Sequence, residues 1–326
     1  MAPPLESYEK DAPSIAWVEP VPPELIVDEI HDLAERNGVK PMKVGGFWLG
    51  PKGSDGIAGQ PAKPDERVIY YFHGGAHVRG SAHPSSAMGA GYEGLLQHLG
   101  PNTRIFSLEY RLASAAPFAQ ENPFPAALLD AIAGYRYLIH TVGFNPRQVI
   151  ISGDSSGGGL ALNLVRYLAL YKLPQLPQAG GLLLLSPTMD WGKTYADDPN
   201  SAYCRNVRSD FVETVMEVDY TPRALRGNMP EDFVRKSLWI SPGSREAEWK
   251  PGAFSGLPPT FILAGEAEQT LDGMHAVRDL LLQDIGEERL TYVEMPDTAH
   301  DIILFKWFEP ERTQSLVKIA EWAQKL

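Results

Sequence analysis

The sequence predicts an α/β fold built on one mainly parallel sheet, and three observations carry that expectation. Short apolar or β-branched runs recur along most of the chain, helix-like segments separate them, and several runs are apolar on both faces, as strands covered on both sides must be. With 326 residues, 44% of them hydrophobic and 21% charged, there is material for one large core or two modest ones in a soluble globular protein.

Taken in order, the expected strands are Val44 to Leu49, Arg67 to Phe72, Arg104 to Leu108, Gln148 to Ser152, Gly181 to Ser186, Thr260 to Ala264 and Leu290 to Glu294. The clearest helical segments are Pro125 to Ile139, Leu160 to Tyr171 and Met274 to Gln283. Two stretches break the rhythm. Residues 1–41 are rich in proline, glutamate and helix formers, and residues 192–250 are polar, carry Tyr195, Tyr203, Tyr220 and Trp239, and show no clear strand. Both are expected to form a cap over the sheet. This divides the chain into an N-terminal cap segment (1–41), a first part of the core (42–191), a cap insertion (192–250) and a second part of the core (251–326). Residues 50–66, full of Gly, Pro and Asp, read as a loop or hairpin.

A formal net charge of -12 repels phosphate backbones and anionic head groups, so nucleic acid and membrane surfaces are poor partners. The single cysteine, Cys204, allows no intramolecular disulfide and no thiolate cluster for a metal. The N-terminus lacks the basic and apolar regions of a signal peptide, no stretch reaches membrane-spanning length, and no Asn-x-Ser/Thr acceptor occurs. A cytoplasmic location is expected. The alternative is peroxisomal, because Gln324-Lys325-Leu326 shares two positions with the Ser-Lys-Leu address.

The segment Ile151 to Leu162, ISGDSSGGGLAL, sits where a strand gives way to a helix. A phosphate loop would need a lysine after its last glycine, or a third glycine where Leu160 to Leu162 stand, and neither is present. What fits is a Gly-x-Ser-x-Gly elbow, Gly153-Asp-Ser155-Ser-Gly157, in which crowding around the turn demands glycines two positions either side of the serine. Gly158 and Gly159 then let the following helix approach the sheet.

A serine hydroxyl needs a base to take its proton and donors to hold the oxyanion. Upstream, the strand ending at Phe72 runs into His73-Gly74-Gly75-Ala76, a turn whose backbone N–H groups can converge with that of Ser156, each donor being worth about 2.7 to 4 kcal/mol in the transition state. Ser156 then matters mainly for its backbone N–H, and replacing its side chain by alanine is expected to be mild. Downstream only His275 and His300 follow Ser155, and His300, in the loop after the last strand, is the better base. The acid is expected from the loop after Thr260 to Ala264. Glu268 lies just past the strand end, while Asp272, the second choice, has an alternative role as a helix N-cap.

Together, YYFHGGAHVRGS, SLEYRLAS, NPFPAALLDAIAGYRYL, ISGDSSGGGLAL, LLLLSPTMDW and the GEAEQTLDGM and PDTAHD loops resemble the hormone-sensitive-lipase-like branch of the α/β hydrolases, which includes the bacterial family IV esterases. The resemblance implies an α/β-hydrolase fold of about eight mainly parallel strands flanked by helices, with a helical cap. It further implies a serine carboxylesterase for short- to medium-chain esters, with Ser155 as nucleophile, His300 as base and Glu268 as acid. Gly75, Ala76 and Ser156 would be the oxyanion donors, with His73 and Gly74 shaping the turn. The chain departs from the family in having Ala76 for a glycine, Glu-Gln-Thr-Leu-Asp for Asp-Pro-Leu-Arg-Asp, and a lengthened segment Ala115 to Phe124. No metal or organic cofactor is expected. The partner is a small-molecule ester, with no nucleic acid, no stable membrane insertion, and a homodimer left open. An amidase or deacetylase on the same triad, and a hydrolase-like receptor without turnover, are the rival functions. An ordinary histidine base would make activity fall below about pH 6.5.

Overall fold

The computed structural model describes residues 14–53, 56 and 59–326. The start of the expected N-terminal cap segment, residues 1–13, and part of the expected loop at 50–66 lie outside them. Eight strands form one sheet in the order β1-β2-β4-β3-β5-β6-β7-β8, with β1 (Ile15–Val18), β2 (Val44–Leu49), β3 (Arg67–Phe72), β4 (Thr103–Glu109), β5 (Val149–Asp154), β6 (Gly181–Leu185), β7 (Thr260–Gly265) and β8 (Leu290–Met295). β2 is antiparallel to both β1 and β4, and all other neighbours are parallel.

The continuous apolar runs are explained by two cores, one on each face of the sheet. Along β3, Val68, Tyr70 and Phe72 enter one core while Ile69 and Tyr71 enter the other. β6 divides in the same way, Leu182 and Leu184 against Leu183 and Leu185. The first face is covered by α1 (Asp28–Asn37), by α3 (Ala126–Arg136), reached after α2 (Gly89–Leu99), and by α4 (Ser156–Tyr171). The second face is covered by α2 and by a C-terminal helix, Glu311–Ala323, through Tyr92, Leu95, Leu316, Ile319 and Trp322. Each fully buried aliphatic side chain contributes about 1.5 to 3 kcal/mol of transfer free energy, so the doubly covered strands are the most strongly specified part of the chain.

Residues 15–18, inside the stretch read from sequence as cap, form the edge strand β1 and pair with β2. Residues 202–236 hold four short helices: α5 (Ala202–Arg205), α6 (Glu213–Glu217), α7 (Tyr220–Arg226) and α8 (Phe233–Lys236). α9 (Leu271–Ile285) follows β7, and the C-terminal helix is α10. Among the described residues no helix is long and apolar enough to cross a membrane.

Candidate active site

At the carboxyl end of β5 the chain turns directly into α4, and Ser155 stands at the corner with φ 51° and ψ −123°. Such a conformation is costly for a residue with a side chain and persists only where the surroundings fix it. They do so here. The Ser155 N–H donates to Leu185 O at 2.9 Å, and its carbonyl accepts from Thr188 N at 3.0 Å and Gly158 N at 3.1 Å. A Cβ on Gly157 would collide with the Phe72 carbonyl, and one on Gly153 with the Gly157 carbonyl, so the elbow closes only with glycine at both places. Gly158 presses on Pro187, whereas a Cβ at Gly159 would meet Thr188 O at an ordinary 3.4 Å. The helix approach therefore requires Gly158 and not Gly159.

The loops after β7 and β8 bring Glu268 and His300 together. His300 Nδ1 lies 2.7 Å from Glu268 Oε2, and both side chains are buried. Glu268 Oε1 accepts from Ser186 Oγ at 2.7 Å and from Gly265 N at 2.6 Å, which fixes the carboxylate. Asp272 is not in this group: its Oδ2 accepts the Tyr203 N–H at 3.0 Å, tying α9 to α5. Nor is it an N-cap, because Thr270 holds that position and Asp272 lies one residue inside the helix. His275 Nε2 is engaged 2.7 Å from Glu294 Oε2.

Burial opposes a positive charge on His300, but Asp301, then Glu268 and Asp210, outweigh it and raise its pKa above the ordinary histidine range. Asp301 Oδ2 is 3.6 Å from Nε2, the imidazole nitrogen that makes no hydrogen bond. Burial likewise raises Asp301, whose carboxylate is only partly offset by His300. The surrounding carboxylates thus favour the protonated ring, a direction that would carry the acid limb of activity above the pH 6.5 expected from the sequence. Asp154 is pushed up to about 6 by burial, against the stabilising donors Tyr71 OH at 3.0 Å and Gly74 N at 2.9 Å.

The turn after β3 packs against the elbow. Gly74 is pinned by Asp154, Gly75 has φ 114°, and Ala76 and His77 carry side chains at φ 60° and 59°. Among the described residues no group accepts the N–H of Gly75 or Ala76. His73 is buried, its pKa lowered by burial to about 4, so the ring is neutral and Nδ1 faces Gly74 O at 2.7 Å. The Ser156 hydroxyl has a partner as well: its Oγ accepts the His77 N–H at 3.2 Å, joining the turn to the first residue of α4. The Ser156 side chain therefore ties the turn after β3 to the start of α4.

Asp301, Asp210 and Ser186 were not singled out from the sequence. Ser186 Oγ also accepts the Asp301 N–H at 2.9 Å, so one hydroxyl aligns the two loops that carry Glu268 and His300. The only signal was position, at the end of β6 and beside His300. Ligand atoms of Asp210, Glu268 and His300 lie within 4.8 Å of one another, but the histidine and glutamate atoms are already bonded to each other.

Ser155, His300, Gly75 and Ala76 line one pocket of about 340 Å³ together with Trp191, Phe211, Val212, Val215 and Met216. Phe211 stands edge-on to His300, ring centres 5.7 Å apart. A family model described as the alpha/beta hydrolase fold matches residues 69–304. The chain is 31% identical to an acetyl-hydrolase of Streptomyces hygroscopicus, over 77% of this chain and 72% of that one. It is 28% identical to an esterase of Acinetobacter venetianus, over 83% and 80%. A crystal structure of a hormone-sensitive lipase from a metagenome library, 27% identical, superposes with a TM-score of 0.63 over 86% of this chain and 82% of that one.

Proposed function

This chain belongs to the α/β-hydrolase family, in its hormone-sensitive-lipase-like branch of carboxylic ester hydrolases, and from that premise we propose that it works through Ser155, His300 and Glu268 on short- to medium-chain esters. The observation that carries the reading is the 2.7 Å bond between His300 Nδ1 and Glu268 Oε2, which leaves Nε2 free in the pocket that holds Ser155.

In this mechanism neutral His300 takes the proton of Ser155 Oγ through Nε2 as the oxygen attacks the ester carbonyl. Glu268 keeps the Nδ1 proton in place and stabilises the imidazolium. The carbonyl oxygen gains negative charge and moves toward the N–H groups of Gly75, Ala76 and Ser156, which are preorganised by the Asp154 and Ser156 ties on either side. Collapse expels the alcohol, protonated by His300, and leaves an acyl-serine. Water, deprotonated by the same histidine, then releases the acid. Residues 192–250 act as a cap, with α6 and the residues before it facing the serine. The modest pocket and the Cβ of Ala76, where the family has glycine, suit short or medium acyl groups.

A fluorophosphonate probe should label Ser155, located by mass spectrometry of the digested adduct, and Ser155→Ala should abolish labelling and lower turnover by about 10⁴ to 10⁶. Labelling of another residue, or wild-type turnover in the alanine variant, would overturn the assignment.

A further inference from the structure

Trp191 borders three cavities. One is the pocket of Ser155, another is a small cavity lined by Phe124, Leu225 and Trp239, and the third is an open cleft of about 370 Å³ between the chain after Trp191 and the helices α7 and α8. Four basic side chains, Lys193, Arg223, Arg226 and Arg235, line that cleft against only two carboxylates, Asp219 and Glu231. In a molecule of net charge -12 this local excess runs against the whole.

Not all four cations are neutralised. Lys193 is paired with Asp219, and Arg235 reaches Glu246 at 3.5 Å. Among the described residues Arg223 and Arg226 meet no carboxylate: Arg223 Nε donates to the Asp219 carbonyl at 3.0 Å, and the buried Arg226 Nε has no acceptor at all. A guanidinium left in this state favours an oxyanion, because its planar fork matches carboxylate and phosphate oxygens. A cationic cleft with low-dielectric walls also focuses the field enough to draw an anion past a repelling surface.

Resting on the esterase reading and narrowing its substrate, we propose that the ester carries an anionic oxygen group, a carboxylate or a phosphate, which seats on Arg223 and Arg226 while the ester reaches Ser155 past Trp191. The overall charge then excludes non-specific anions, and the cleft admits those attached to the correct ester.

The test compares kcat/KM for monoethyl esters of succinic, glutaric and adipic acids with ethyl alkanoates of matched length, and for acetyl esters of hydroxyalkyl carboxylates and hydroxyalkyl phosphates with butyl acetate. These arms separate an anion on the acyl side from one on the alcohol side, and carboxylate from phosphate. At low ionic strength at least one anionic series should exceed its neutral counterpart by about tenfold, an advantage that shrinks as salt is added. Arg226→Gln should remove most of it, and Arg223→Gln, at an exposed position that leaves the fold intact, should reduce it several-fold; neutral esters should be unaffected by either. An absent anionic advantage in every series, or one that survives the double variant, would overturn the inference while leaving neutral-ester hydrolysis in place. Failure to hydrolyse any ester, neutral ones included, would overturn the esterase reading and this inference with it.

Discussion

The carboxyl-terminal rim of the sheet, the edge that carries Ser155, and the wall that faces it across the pocket differ in how tightly their backbone is specified. At the edge, strand ends, colliding glycines and buried hydrogen bonds leave each group one position: Ser155 is clamped to Leu185 and Thr188, and Glu268 to Ser186 and Gly265. The wall, Phe211 to Met216, belongs to a segment whose helices run only four to seven residues, with Phe211 and Val218 more than half exposed. Reacting groups need fixed distances, whereas substrate selection tolerates, and gains from, a segment that can change without disturbing the sheet. Several bonds span the division: the Tyr203 N–H in α5 donates to Asp272 Oδ2 in α9, Asn206 Nδ2 to the carbonyls of Glu266 and Glu268, Ser209 Oγ to the Ala267 carbonyl, and the Gln269 N–H to Asp210 Oδ2.

This difference can be broken or sharpened by substitution. The largest effect is expected from Glu268→Gln, which keeps the shape of the edge but no longer favours the correct histidine tautomer; kcat should fall by about 10³ to 10⁴. Asp272→Asn, a similar change at the junction with the wall, should stay within about threefold. Equal losses from the two would mean that the edge and its junction act as one unit. Ser156→Ala, which frees the His77 N–H, should lower kcat by about tenfold with KM little changed, since it loosens a donor loop that acts in the transition state. A silent alanine variant would show that Asp154 alone holds the turn.

The smallest effect on maximal rate is expected from Asp301→Asn. With that carboxylate neutral, His300 loses its proton at lower pH, so the acid limb of the kcat/KM profile should move to lower pH by up to about one unit. An unmoved limb would mean that Glu268 and Asp210 alone set the histidine.

Much of the edge was legible in the sequence because its determinants are local. β2 and β3 occupy the expected residues, since apolar side chains on both faces mark a doubly covered strand. The glycines around Ser155 announce the elbow by their spacing together with their place between an apolar strand and a helical segment. β1 was not legible: it has four residues, lies at the sheet edge and leaves Trp17 43% exposed, so it carries no periodic signal. The ties made by Ser186 and Ser156, and the approach of Asp301 to His300, depend on loops brought together from distant parts of the chain. The positive φ of Ala76 and His77 is equally hidden, because their residue types do not ask for it. In the cleft beside Trp191 the basic residues are visible in the sequence, but their shortage of carboxylate partners is a property of the fold.

β5 lies inside the sheet, bonded to β3 on one side and β6 on the other, and Ser155 continues that ladder through its amide bond to Leu185. Local opening starts where few buried contacts hold the chain, and global opening is needed to free the amides of a central strand. In heavy water the amides of residues 202–236 should exchange early, and that of Ser155 among the last. Mild heating or denaturant should therefore pass through molecules whose nucleophile is still poised while the selecting wall has come loose, a state that discriminates poorly between esters before it stops hydrolysing them.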